Sequence, residues 1–353
     1  MDERQNHSDH PALRGGLIAL VAACLFGAST PLLQIVSSGI DSFWTAALLY
    51  FGAALTGLVL RRPSTEEAAL RRPDLPRVIA MALFGAAVGP IALAWGLQRT
   101  SGASASLMLT FEAVVTTLLA TVFYVEKLDG RVRVALALTT AGAAVLVIDR
   151  MGASGIEVLG LLSVLVATVA WGLDNTLSRG VANRDPGQVV MYKSIIGAVI
   201  SCVIAIIARG PLPTLPVMME LAVIGAVGYG ISLRFYLLAQ RFFGAARTAS
   251  VFAVAPFIGA SIALAISGQA PSWLMTLGAI LLAAGLILHL FERHSHEHRH
   301  SLLEHEHAHD HDDGHHDHDH PSKISGSHSH RHTHLPILHS HPHVPDEHHA
   351  HEH

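Results

Sequence analysis

Two groups of residues in this chain could do chemistry, and they lie in different kinds of sequence. The first is a run of histidines over residues 294–353, which hold 23 of the 26 histidines and 11 of the 27 acidic residues. They recur as His-x-His: His294, His296, His298 and His300; His305, His307, His309 and His311; His315, His316, His318 and His320; then His328, His330, His332 and His334. Neutral imidazole is a borderline ligand that suits Ni, Co, Zn and Cu, and the interspersed Asp310, Asp312, Asp313, Asp317 and Asp319 add negative charge. The pattern has no two-Cys, two-His spacing, so it predicts overlapping sites for divalent transition metals and not one rigid structural zinc. Such a composition builds no hydrophobic core, and the segment is expected to stay disordered without metal.

The second group is a handful of ionisable side chains inside apolar text: Glu112, Asp174, Lys193 and Arg234. Charges at membrane depth cost about 2.5–3.5 kcal/mol each on insertion scales and usually face a cavity or a partner. Glu112 stands near the middle of its apolar run, too deep to snorkel, where it suits a proton carrier or a structural partner for Arg234. Asp174 and Lys193 lie near the same ends of consecutive runs, which predicts an ion pair first and substrate contact second. Arg234 could reach an interface or bind an anionic group. Trp171, the tryptophan farthest from an interface, and Phe26, which matches it in the repeat described below, read either as ordinary packing residues or as cavity walls. Pro31, Pro90 and Pro256 break helix hydrogen bonds, and carbonyls freed in this way can line a path.

These residues must be positioned by helices in a bilayer. The chain is 51% hydrophobic and 14% charged, well below the ~25% charge of a soluble domain. A bilayer core needs about 20 apolar residues per helix. Ten such runs occur, near 15–36, 42–60, 77–98, 102–124, 132–149, 157–178, 188–208, 218–239, 245–267 and 272–291. None carries a polar stripe, which excludes a soluble helical bundle. The first run is longer than the ~7–15 residues of a signal-peptide core, so it reads as a retained helix. Arginines and lysines gather in alternate loops, at Arg61, Arg62, Arg71, Arg72 and Arg77, then Lys127, Arg131 and Arg133, then Arg179 and Arg184. The positive-inside rule then puts both termini in the cytoplasm, with Trp44, Trp95 and Trp273 at the outer interface. Cys24 and Cys202 sit inside apolar runs and read as small buried apolar residues.

The two halves of the chain repeat. Phe26-Gly27 matches Trp171-Gly172, Gln98-Arg99 matches Gln240-Arg241, Val147-Ile148-Asp149-Arg150 matches Leu290-Phe291-Glu292-Arg293, and Gly142 matches Gly285, with an offset of 142–145 residues. Five helices per copy invert the second copy relative to the first, the layout of many secondary transporters with a midplane site. The predicted architecture is an all-α polytopic membrane protein of ten transmembrane helices in two inverted five-helix repeats. It divides into a cytoplasmic segment, 1–13, a first repeat, 14–150, a second repeat, 155–293, and the His-rich tail, 294–353.

Several motifs in this order carry a family resemblance. They are Phe26-Gly27-Ala28-Ser29-Thr30-Pro31, Ala94-Trp95-Gly96-Leu97-Gln98, Ser101-Gly102-Ala103-Ser104-Ala105-Ser106, Phe111-Glu112, Val125-Glu126-Lys127-Leu128, Ala255-Pro256 and Leu277-Gly278-Ala279. With the duplication, the chain resembles the drug/metabolite transporter superfamily, specifically the EamA-type permeases. The resemblance implies ion-coupled movement of small solutes across a bacterial cytoplasmic (inner) membrane, with the lipid bilayer and a small-molecule or metal-ion substrate as partners. A homodimer is conceivable, and a nucleic-acid partner is not expected. No enzyme is expected, since no nucleophile–base arrangement is present, and no cofactor is required. Joined to the tail, the leading expectation is export of a divalent transition metal, Ni or Co ahead of Zn, against protons. The alternatives are an exporter of amino acids or other small metabolites with a metal-sensing tail, and a membrane metal sensor or store that moves nothing.

Overall fold

A computed structural model describes residues 11–61, 67–123, 130–151, 154–181, 184–243, 245–290, 297–299, 303–309, 328–334 and 338–340. Within these, the apolar runs form helices. They are α1 (Pro11–Val36), α2 (Ser42–Leu60), α3 (Arg72–Leu97), α4 (Gly102–Leu119, continuing to Phe123), α5 (Gly130–Met151), α6 (Gly155–Ser178), α7 (Pro186–Ile207) and α8 (Leu215–Ala239, continuing to Phe243). Then follow α9 (Ala245–Phe252), α10 (Ala255–Ser267) and α11 (Trp273–Leu290). The first eight are long and apolar enough to cross a membrane, whereas α10 and α11 are shorter. The ninth expected run, 245–267, is therefore two helices. The break falls just before Pro256, which lacks the amide hydrogen a continuous helix would need there.

The chain is an integral membrane protein, and its burial pattern is that of one. Large apolar side chains face outward all around the bundle, Val59, Val122, Ile207 and Trp273 each more than 70% exposed, while alanines, glycines and the polar residues lie inside. This is the reverse of a water-soluble surface, and it follows from having lipid as the solvent. Cys24 is exposed and Cys202 half-buried, both free, so the cysteines do not occupy the core as their apolar neighbours suggested. On these helices their open face is the apolar one.

Close packing depends on small residues. The helix α2 lies along both α7 and α8, α1 packs on α8 and α10, α3 on α6 and α7, and α5 on α11. A Cβ at Gly52 would lie 1.9 Å from the Ala222 carbonyl oxygen, and one at Gly225 would lie 1.9 Å from that of Leu49, so the α2 and α8 backbones touch where only glycine fits. Beyond these contacts, α1 is tied to the α3–α4 connection by the Gln34 amide, which donates to the carbonyls of Leu97 (3.0 Å) and Thr100 (2.9 Å).

Helices α3 and α8 each contain one π-helical turn or more, Ala82–Val88 and Gly225–Ile231. Their separation falls within the offset relating the two halves of the sequence. Such widened turns shift the backbone ladder and release carbonyl groups to other donors.

Twenty residues of the tail are described, in short strands. It contains β1 (Glu297–Arg299), β2 (Leu303–His309), β3 (His328–His334) and β4 (Leu338–Ser340), with β1 antiparallel to β4 and β2 antiparallel to β3. The His-x-His alternation has the period of two that a strand requires.

Candidate functional site

The innermost polar groups are organised by one backbone atom. In the π turn of α3, the Gly89 amide bonds to the Phe84 carbonyl, five residues back. The next residue, Pro90, has no amide hydrogen, so the Gly85 carbonyl is left without a partner from its own helix. Two side chains take it instead. The Tyr50 hydroxyl donates at 2.5 Å from α2 and the Trp171 indole Nε1 donates at 2.9 Å from α6. A proline in one helix thus fixes two aromatic rings from two others. Gly85 itself must be glycine, because a Cβ there would sit 2.1 Å from Asp174 Oδ2.

Trp171 and Tyr50 belong to a cluster of rings. The Phe26 centroid lies 5.8 Å from that of Trp171, 5.7 Å from Tyr229 and 5.5 Å from Phe252. Tyr229, in the π turn of α8, lies 5.7 Å from Tyr50 and 6.4 Å from Trp171, and Tyr236 stacks edge-on to Phe252 at 5.0 Å. Edge-to-face pairs at these distances pack favourably and keep the walls rigid. Tyr229 is buried, with its hydroxyl beside Ser29.

One helical turn from Trp171, Asp174 forms an ion pair with Lys193 of α7, and both side chains are at most 5% exposed. The lysine occupies Oδ2, while Oδ1 is buried and unpartnered. The neighbouring Asn175 donates its side-chain amide to Glu112 Oε1 on α4. Glu112 is half-buried and follows the 3-10 turn Leu109–Phe111, which ends the first part of α4. The residues between Trp171 and Asn175 on α6 therefore touch α1, α3, α4 and α7 at once.

The sequence reading located several of these groups. Phe26, Trp171, Asp174, Lys193 and Glu112 come together here, and the Asp174–Lys193 pair is the ion pair their placement predicted. Glu112 meets Asn175 where Arg234 was considered as its partner. Arg234 is buried at 8% exposure farther along α8. Tyr50, Tyr229, Phe252, Asn175 and the Gly85 carbonyl were not anticipated. The signal for the last was Pro90 together with the glycine pair Gly85 and Gly89. The tyrosines gave none, since a single aromatic residue in an apolar run has no distinguishing spacing.

Among the described residues no group of three or more His, Cys, Asp or Glu is arranged to hold a metal ion. Of the expected metal ligands, His294, His296, His300, His311, His315, His316, His318 and His320 lie outside the described residues. His298, His305, His307, His309, His328, His330, His332 and His334 lie on the tail strands.

At the end of the bundle that carries the α1–α2 connection, a crevice of about 550 Å3 is lined by Ile40, Asp41, Ser42, Phe43, Val88, Ile91, Ala92, Trp95, Gln98, Arg99 and Ser163. Its polar groups are largely committed. Asp41 caps α2 through the amides of Phe43 and Trp44, Gln98 donates to the Ile40 carbonyl, and the Arg99 guanidinium lies 3.8 Å over the Trp95 ring. The other end is held by Asp74, which accepts from Arg184 at 2.9 Å and so joins the start of α3 to the segment just before α7.

The EamA-like transporter family model matches the chain twice, over residues 13–148 and 158–291. The chain belongs to the EamA-like transporter family. An uncharacterized transporter of Methanothermobacter thermautotrophicus is 25% identical to this EamA-like protein over 293 residues, covering 77% of this chain and 85% of the relative. A probable amino-acid metabolite efflux pump of Escherichia coli is 27% identical over 203 residues, covering 53% of this chain and 67% of the pump. A protein of known crystal structure superposes on the EamA-like chain with a TM-score of 0.56 and 19% identity, over 79% of this chain and 97% of the other, a likeness of fold alone.

Proposed function

We propose that this chain is a secondary transporter that carries small zwitterionic metabolites, amino acids foremost, out of the cytoplasm through the aromatic-walled site at Asp174 and Lys193. Ten membrane-crossing segments in two inverted repeats, both termini cytoplasmic, would give that site access to either side in turn. One observation carries the reading. A carboxylate and an ammonium, each almost fully buried, neutralise one another beneath Phe26, Tyr50, Trp171 and Tyr229. A solute bearing its own ammonium and carboxylate can replace that internal pair charge for charge, so entry leaves no isolated charge in the bilayer. The unpartnered Asp174 Oδ1 is free to meet a further polar hydrogen of such a solute.

The same geometry weakens the reading as a transition-metal exporter. A metal ion entering here would meet Lys193 as a competing cation and a single adjacent carboxylate, with Glu112 engaged by Asn175. The likeness to a probable amino-acid metabolite efflux pump supports the metabolite reading. Glu112 is the residue proposed to couple transport to protons, because a carboxyl in a bundle interior can exchange a proton as water reaches it.

Purified protein in proteoliposomes tests these readings together. Loaded vesicles are expected to exchange radiolabelled neutral amino acids across an imposed pH gradient, and Asp174→Asn is expected to abolish exchange. Movement of Ni, Co or Zn alone, with no amino acid or other zwitterion carried, overturns the proposal in favour of metal export. No movement of any solute points to a sensor or store.

A further inference from the structure

The crevice at the α1–α2 connection is amphipathic along its length. Its α3 wall is one helix face, Val88, Ile91, Ala92, Trp95, Gln98 and Arg99, spaced by threes and fours. From Val88 to Arg99 that face runs about 16 Å, at ~1.5 Å per residue. Its deeper part is apolar, with Val88 36% exposed on the lipid-facing side. Its mouth carries two half-buried charges, Asp41 and Arg99, where the apolar parts of α2 and α3 end. In a bilayer that level is the headgroup region.

Local bonding leaves part of each charge over. Asp41 uses a single oxygen, Oδ1, to accept from the amides of Phe43 and Trp44. Arg99 donates from Nη1 to the Trp95 carbonyl at 2.9 Å, and the Trp95 ring covers one face of its guanidinium. Among the described residues neither side chain is in an ion pair. Asp41 Oδ2 can therefore accept, and the Nε and Nη2 edge of Arg99 can donate two parallel hydrogen bonds to a phosphate.

We propose that this crevice binds one ethanolamine phospholipid of the surrounding bilayer, with its phosphate on Arg99, its ammonium on Asp41 and an acyl chain against Val88, Ile91 and Ala92. The two protein charges select the headgroup. A phosphatidylglycerol would bring its negative charge to Asp41 with no cation to offset it. A choline headgroup has no N–H to donate to Oδ2. The apolar stretch selects a chain-bearing ligand over a free zwitterion, since a headgroup alone leaves it uncovered. The site does not depend on which solute the bundle carries.

Native mass spectrometry of the full-length protein, delipidated in detergent and titrated with dioleoyl lipids, tests the assignment. Phosphatidylethanolamine is expected to bind about tenfold or more tighter than phosphatidylcholine or phosphatidylglycerol. Arg99→Gln should remove that preference by weakening the ethanolamine lipid, whereas Arg61→Gln, an exposed arginine at the opposite end, should leave it intact. Asp41→Asn keeps an oxygen that can cap α2 and should equalise phosphatidylethanolamine and phosphatidylglycerol by strengthening the latter. Val88→Trp leaves both charges in place and should weaken the ethanolamine lipid by filling the chain's path. Equal losses in Arg99→Gln and Arg61→Gln, or no headgroup preference in the unmutated protein, overturn the proposal. Glycerophosphoethanolamine, the headgroup without chains, should fail to displace the lipid at roughly a thousandfold excess. Displacement at equal concentration also overturns the proposal, in favour of a small-solute vestibule.

Discussion

Replacing Lys193 by methionine removes one charge from a buried pair and leaves the other behind. Asp174 would then hold a carboxylate at 5% side-chain exposure with Oδ1 already unpartnered and Oδ2 deprived of the Lys193 ammonium. Breaking a buried pair from one side costs about 3–5 kcal/mol, since the remaining charge is uncompensated. At about 1.4 kcal/mol per decade, the folded-to-unfolded ratio falls by roughly two to three and a half orders of magnitude. The second change, Asp174→Asn, removes the stranded charge and leaves a buried amide worth about 1–3 kcal/mol if poorly paired. The double variant should therefore recover a good part of the loss, a coupling that a double-mutant cycle isolates. Reversible SDS titration in mixed micelles, followed by helical circular dichroism, measures all three. A Lys193→Met cost below about 1 kcal/mol, or a double variant as unstable as the sum of the singles, refutes the argument that the two charges compensate one another. Transport separates structure from function: if the pair binds solute, the double variant regains stability but not amino-acid exchange. If exchange returns with stability, the pair only holds helices together.

Three further outcomes are expected. Gly85→Ala puts a methyl 2.1 Å from Asp174 Oδ2, which the Lys193 pair prevents from moving aside, so it should cost about 1–3 kcal/mol and impair exchange; Gly130→Ala, with nothing within 4 Å, is the control and should leave both unchanged. Glu112→Gln retains an Oε1 that can accept from Asn175, so the protein should unfold at an unchanged SDS fraction while exchange in proteoliposomes no longer follows an imposed pH gradient; an unaltered pH dependence makes Glu112 structural. Reporter fusions after Pro73 and Asp129 should read cytoplasmic and one after Ser38 external, and a reversal at two of the three overturns the orientation taken from the charged loops.

The sequence alone determined that this chain lives in a membrane and roughly where its helices run, because those properties are local sums. Some twenty consecutive apolar residues span a bilayer whatever lies beside them, and arginines between runs bias orientation without reference to packing. It also singled out Asp174, Lys193 and Glu112, since a charge in apolar text is conspicuous by itself. It did not show that the ninth run breaks into α9 and α10, although Pro256 marked the place. Only the tertiary structure decided which groups meet. Tyr50, Trp171 and Gly85 stand on three helices and converge because Pro90 strips one carbonyl of its amide partner, which makes that oxygen an acceptor in a medium that offers no water to fill it. Asn175, not Arg234, reaches Glu112 because the two side chains project from α6 and α4 at the same depth. In the tail, composition named the metal-preferring side chains, but pairing is a relation between distant strands. Only the register put His307 opposite His330.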